Sequence, residues 1–134
     1  MKQIPAIIER ASDGTYSVYC EHEIFSGMGD TVEAAKSDME EQMKFYKQTA
    51  QEERFKYPEF LDGEFEVVYR WDCESLLTLY SDILTLTGLG KRSGINHKQL
   101  WSYMHGNSKP RRAQLDKLEK AIHELGQELL AIKL

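Results

Sequence analysis

The stretch LGKRSGINHKQLWSYMHGNSKP, residues 89–110, decides how the second half of this chain is read. A short helix over residues 89–93 meets Gly94, where a sharp turn needs a residue that tolerates positive φ. Ile95 follows as an apolar plug, and Asn96 is a good N-cap for what comes next. The following helix, about 97–105, sets Leu100 and Tyr103 or Met104 on one side, with His97, Lys98, Gln99 and Ser102 on the other. Gly106-Asn107-Ser108 ends it.

Helix, glycine turn, cap and second helix form a helix-turn-helix, the geometry that lays its second helix into the DNA major groove. His97, Lys98 and Gln99 fall in the first turn of that helix. Gln can pair in two-pronged fashion with adenine, and Lys can donate to guanine acceptors. The same helix pair also occurs in bundles that bind no nucleic acid, so the turn is only moderately specific. Beyond Pro110, Arg111 and Arg112 open the last helix, where the macrodipole disfavours cations. An approaching phosphate would remove that conflict; a solvated pair of negligible cost is the alternative. Leu115, Leu118, Ile122, Leu125, Leu129 and Ile132 then recur at steps of three and four, a bundle core or a self-association seam. Gly126 is expected to cap one helix and start a shorter one over 127–134, leaving Leu129, Leu130 and Ile132 as dimer candidates. Upstream, Leu76, Leu77, Leu79, Tyr80, Ile83 and Leu84 give a helix expected to fade over 85–88.

The first half has a different rhythm. Ile4, Ala6 and Ile8 alternate with more polar neighbours, Ser12-Asp13-Gly14 turns the chain, and Tyr16, Val18 and Cys20 alternate again, a strong hairpin signal. A third short strand is expected around Ile24 and Phe25, closed by Gly27 and Gly29. Asp30 with Glu33 reads as a capping pair, followed by the helical stripe Val32, Ala35, Met39, Met43, Tyr46 and Ala50. Phe65, Val67, Tyr69 and Trp71 alternate as a half-buried strand after a turn at Asp62-Gly63. The order is β-β-β-α-β, a small sheet with one helix across it.

The chain has 134 residues, 41% hydrophobic and 29% charged, with a net charge of −5. This fits one ordinary domain or two small ones and argues against disorder or a fibrous repeat. No apolar run approaches a membrane span, and the start MKQIPAIIER breaks at Glu9 and Arg10 before a signal-peptide core develops. Two cysteines, Cys20 and Cys73, without a C-x-x-C make a disulfide scaffold or zinc finger a poor fit, and the expected location is cytoplasmic. Cys20 and His22 lack a second pair at ligand spacing, so no metal, cofactor or catalytic residue is assigned. Cys20 is expected in the core, as are Met39 and Met43. The net charge hides an asymmetry. Residues 1–72 hold 16 acids and 8 bases, net −8, whereas residues 73–134 hold 6 acids and 9 bases, net +3. Two modules with different partners are one reading, the basic one suited to a polyanion; chance asymmetry on solvated faces is the other.

At the level of whole motifs, GINHKQLWSYMHGNSKP (94–110) resembles lambda-repressor-like (Cro, XRE) helix-turn-helix domains, which run from Gly-hydrophobic-Ser/Asn to Gly-x-x-x-Pro without a gap. That resemblance assigns Asn96, His97, Lys98, Gln99, Ser102 and Tyr103 to DNA-facing positions and residues 108–112, with Lys109, Arg111 and Arg112, to a phosphate-contacting loop. Trp101 and Met104 depart from the usual smaller or charged residues. The front module resembles the HicB family of antitoxins through IPAIIER..DGTYSVYC (4–20) and GDTVEAA (29–35), while 37–72 fits in pattern only. EHEIFSGM (21–28) stands where that family has Pro-Asp-Leu-Pro-Gly-Cys.

The resemblance implies an α+β chain: a partial ribonuclease-H-like β-β-β-α-β toxin-binding domain over 1–72, then an all-α helix-turn-helix bundle over 73–134. In that family the first module grips a small, basic, mRNA-cleaving toxin of HicA type, and the second represses the pair's own operon. The expected partners are such a toxin through 1–72, operator DNA through 89–112, and a second copy through Leu129, Leu130 and Ile132 or through the N-terminal module. Catalysis is not expected, because most acids fall on turns and the helix exterior rather than converging on strands. The rival classes are an orphan transcription regulator whose first module senses a ligand or another protein, and a weak nuclease.

Overall fold

Alternation places Ile4, Ala6 and Ile8 on one face of β1 (Lys2–Arg10), where each is at most 3% exposed. Val18 and Cys20 of β2 (Tyr16–Cys20) extend that face, because Ala6 pairs with Cys20 and Ile8 with Val18 across the antiparallel hairpin. β3 (Ser26–Gly29) continues the meander beside β2, and β4 (Phe65–Trp71) runs parallel to β1 on its other side. The sheet is therefore mixed, in the order β3-β2-β1-β4. The computed structural model describes residues 1–134, which divide into two compact units, Met1–Asp72 and Cys73–Leu134. The boundary falls where the charge balance changes sign.

A parallel partner for β1 demands a crossover, and α1 (Val32–Glu53) supplies it. Its stripe of Ala35, Met39 and Met43 is buried on the sheet, with Val32 and Tyr46 half-buried beside it and Ala50 buried farther along the helix. A 3-10 turn over Glu59–Asp62 inserts Phe60, whose ring meets Phe65 edge-on at 5.0 Å. Cys20 is a core residue, 5% exposed, and burial pushes its thiol up to about 11.

Two details of this unit differ from the sequence expectation. The cap of α1 is Thr31, whose hydroxyl accepts from the Ala34 amide at 3.0 Å, rather than Asp30 with Glu33. The third strand is also displaced, since Gly27 and Gly29 lie inside β3 instead of closing it. The cause is close packing. A Cβ on Gly27 would stand 2.3 Å from the Ala35 carbonyl oxygen, and one on Gly29 would stand 2.7 Å from the Ala34 Cβ. Strand and helix can touch backbone to backbone only with glycine here.

The second unit contains α2 (Cys73–Leu79), α3 (Leu86–Ser93), α4 (His97–Met104) and α5 (Arg112–Leu130). The whole chain is thus α+β, a four-stranded mixed sheet with five helices. Leu77, Leu89, Ile95, Leu100, Tyr103 and Leu118 form the second core. Again two expectations need correction. The helix expected to run through Leu84 and fade over 85–88 stops at Leu79, leaving Tyr80, Ile83 and Leu84 in a turn. Thr85 then caps a new helix, accepting from the Gly88 amide at 3.0 Å, so α3 starts at Leu86. Gly126 does not divide the last helix, because one glycine costs only about 1 kcal/mol in a helix whose hydrogen-bond ladder continues on both sides. No helix is long and apolar enough to cross a membrane.

Gly27→Ala is expected to destabilise the first unit by about 3 kcal/mol, because neither Ala35 nor Met39 can move its backbone away without shifting α1. Urea unfolding followed by circular dichroism checks this, and an unchanged midpoint would contradict the close approach.

Candidate functional site

Local chemistry fixes how α4 is presented. α3 ends at Gly94, whose φ of +76° is the left-handed conformation that glycine adopts without strain. Ile95, 4% exposed, then plugs the core and pins the turn. Asn96 caps α4 by accepting from the Lys98 amide at 2.8 Å. Leu100, fully buried, turns one side of α4 inward, and the opposite side must face solvent.

That outward side carries most of the residues singled out from the sequence. His97 and Lys98 are exposed in the first turn, while Gln99 and Ser102 are half-buried. Ser102 and Ser108 share a hydrogen bond of 2.7 Å, and Gln99 Nε2 donates to Ser108 Oγ at 3.4 Å. These contacts tie α4 to the loop that follows it. Gly106 turns that loop with φ +72°, directly over the Glu74 carboxylate. Lys109, Arg111 and Arg112 are exposed at its far end.

Tyr103 is different. At 4% exposure it belongs to the core with Leu100 and Leu118, so its ring is withdrawn from the surface. A 3.6-residue period brings both 100 and 103 to the buried side, which leaves Met104 half-buried at the margin. In its place the surface holds two residues not assigned to the site from the sequence. Trp101, 46% exposed, stacks on His105 with ring centroids 3.9 Å apart and planes at 20°. His97, Trp101 and His105 are spaced four residues apart, a signal that helical periodicity alone could have flagged.

Basic charge gathers where α5 begins. Arg111 occupies the N-cap position with extended φ and ψ but makes no side-chain cap hydrogen bond, and the first turn holds no acid. The unsatisfied amides and the helix dipole therefore add positive potential to that of Arg111 and Arg112. Arg112 reaches Asp116 at 3.9 Å, an exposed pair that leaves most of its charge unneutralised. Arg92, by contrast, is held by Glu128 of α5. The combined surface can donate hydrogen bonds from amide, ammonium and guanidinium groups, offer a flat aromatic face, and attract an anion.

The first unit offers a separate groove of about 550 Å³ between α1 and β4, lined by Met43, Lys44, Lys47, Phe65, Val67 and Tyr69. Lys47 is anchored there to Asp62 at 3.0 Å and to the Leu61 carbonyl at 3.1 Å, and this contact with the Tyr57 hydroxyl holds the Asp62 carboxyl below its usual range. No family model, curated protein or solved structure matches the chain.

Asn96→Ala should cost about 1 kcal/mol of stability in the second unit by removing the α4 cap. Thermal unfolding of the variant checks it; no loss would mean that the Lys98 amide finds another acceptor.

Proposed function

We propose that this chain is a cytoplasmic antitoxin of HicB type: a repressor that binds operator DNA with its second unit and a small mRNA-cleaving toxin with its first. The observation that carries the reading is the presentation of α4. Its apolar side is buried through Leu100, its polar first turn is open, and a basic helix start follows within one loop. In this reading α3, the Gly94 turn and α4 are a helix-turn-helix whose second helix enters the major groove. Asn96, His97, Lys98 and Gln99 meet base edges there, and Lys109, Arg111 and Arg112 hold phosphates on either side. Ser102 acts by fixing Ser108 and the loop, and Tyr103 by packing the helix.

The β-β-β-α-β order of the first unit supports a partial ribonuclease-H-like module, with α1 crossing the sheet. Its net charge of −8 suits a basic, RNA-binding partner, since opposite potentials steer encounter and fix orientation. Neutralisation would follow from covering the toxin's RNA-cleaving surface, with no chemistry performed by this chain. Operator binding by a dimer or higher oligomer would set half-sites about one helical turn apart.

Replacing Arg111 and Arg112 together with Ala should weaken binding to all DNA sequences and flatten the salt slope by roughly 2 units per chain. Fluorescence anisotropy across a salt series checks this, and an unchanged slope would contradict phosphate contact. Substitution of Gln99 should instead alter which sequence is preferred.

For the antitoxin role, the chain would be co-expressed with the small basic protein encoded beside it. A stable complex with restored growth is expected. Intact DNA binding with neither complex nor rescue would favour an orphan regulator.

A further inference from the structure

The two edges of the sheet are unequal. At the β3 edge the Met28 amide is already taken by the Asp38 carboxylate at 2.9 Å, and glycines bring α1 down on the strand. At the β4 edge nothing comparable occurs. The Lys2 amide donates to the Glu64 carbonyl, and the Asp72 amide donates to the Ile8 carbonyl. In a parallel ladder these two bonds place the even-numbered residues of β4 toward β1. Phe65, Val67, Tyr69 and Trp71 therefore aim their backbone N–H and C=O groups away from the sheet. The strand has no proline or bulge to blunt this edge, which is a template for another strand.

We infer that β4 pairs antiparallel with β4 of a second copy of this chain, about a twofold axis through Val68, joining two sheets into one. The charge pattern selects this register. With Val68 opposite itself, Glu66 faces the partner's Arg70, and Arg70 faces the partner's Glu66. Both are non-hydrogen-bonded positions, where facing side chains lie closest. Glu66 Oε1 accepts from Gln3 Nε2 at 3.1 Å, and no ion pair within the chain engages Glu66 or Arg70. Phe65 then exchanges backbone hydrogen bonds with the partner's Trp71, and Val67 with the partner's Tyr69.

Sliding the partner two residues one way sets Glu66 against the partner's Asp72. Sliding it the other way leaves Glu66 facing the partner's Val68 and moves Arg70 to the partner's Glu64, outside the strand. On the α1 side, the groove of about 550 Å³ between Met43, Lys47 and β4 would be bordered by the partner's β4. This pairing does not depend on what either unit binds.

Val68→Cys in the full chain tests the register. Facing non-hydrogen-bonded residues have Cα atoms about 4.5 Å apart, within disulfide reach. The native thiols Cys20 and Cys73 are buried, so they stay silent. Mild oxidation should give a disulfide-linked dimer. Glu66→Arg and Arg70→Glu should each weaken the dimer about tenfold by sedimentation velocity, from like charges at two facing positions. Mixing those two variants should restore it, because opposite charges then face each other at both positions. A folded Val68→Cys chain that does not cross-link would overturn the pairing, as would single charge variants that dimerise like the parent. So would a parent chain that stays monomeric and has its β4 amides protected only when a different protein is added.

Discussion

Burying Leu100 forces the rest of the second unit into place. Once that side chain is enclosed in the core it shares with Leu77, Leu89, Ile95 and Leu118, α4 can rotate no further, and its opposite side is committed to solvent. The Gly94 turn and the Asn96 cap set the angle at which α4 leaves α3. The Ser102–Ser108 hydrogen bond carries that placement into the loop that ends at Arg111. A surface built this way is rigid because its supports are core contacts and caps, and the proposed reading of a groove edge depends on that rigidity. Trp101 and His105 add an aromatic plate to this surface without weakening its supports.

A comparable constraint shapes the first unit. Gly27 and Gly29 let α1 approach the β3 backbone closely, and this approach brings Asp38 onto the Met28 amide. One sheet edge is closed by that contact and the other stays open, so the unit has a direction in which it can grow. The half-buried aromatic residues of β4 suit a strand that is neither fully core nor fully surface. Tyr69 illustrates the balance: its hydroxyl is buried without a hydrogen-bond partner, and burial pushes its pKa up to about 12.

Most of this architecture was legible from residue order. The two-residue period of Ile4, Ala6 and Ile8, the Asp13-Gly14 turn and the α1 stripe each correspond to the observed elements, because burial on one face leaves a period that survives without coordinates. What escaped the sequence depends on approach between distant segments. Gly27 reads as a terminator until α1 lies 2.3 Å from where its Cβ would be. Choosing between Thr31 and Asp30 as the cap is a shift of one residue, which periodicity does not resolve. In the candidate site, the open first turn of α4 and the basic start of α5 were readable. Periodicity left Tyr103 and Met104 as alternatives beside Leu100, and the resemblance then turned Tyr103 outward; its burial, like the ring-to-ring contact of Trp101 and His105, is fixed by the rotation of α4 about its axis.

The central claim is that α4 reads DNA. Footprinting of the chain on the DNA upstream of its own coding sequence tests it most directly. Protection of paired half-sites about one helical turn apart, centred in the major groove, is the predicted result. An absence of protection at low salt, where phosphate contacts are strongest, would contradict the account.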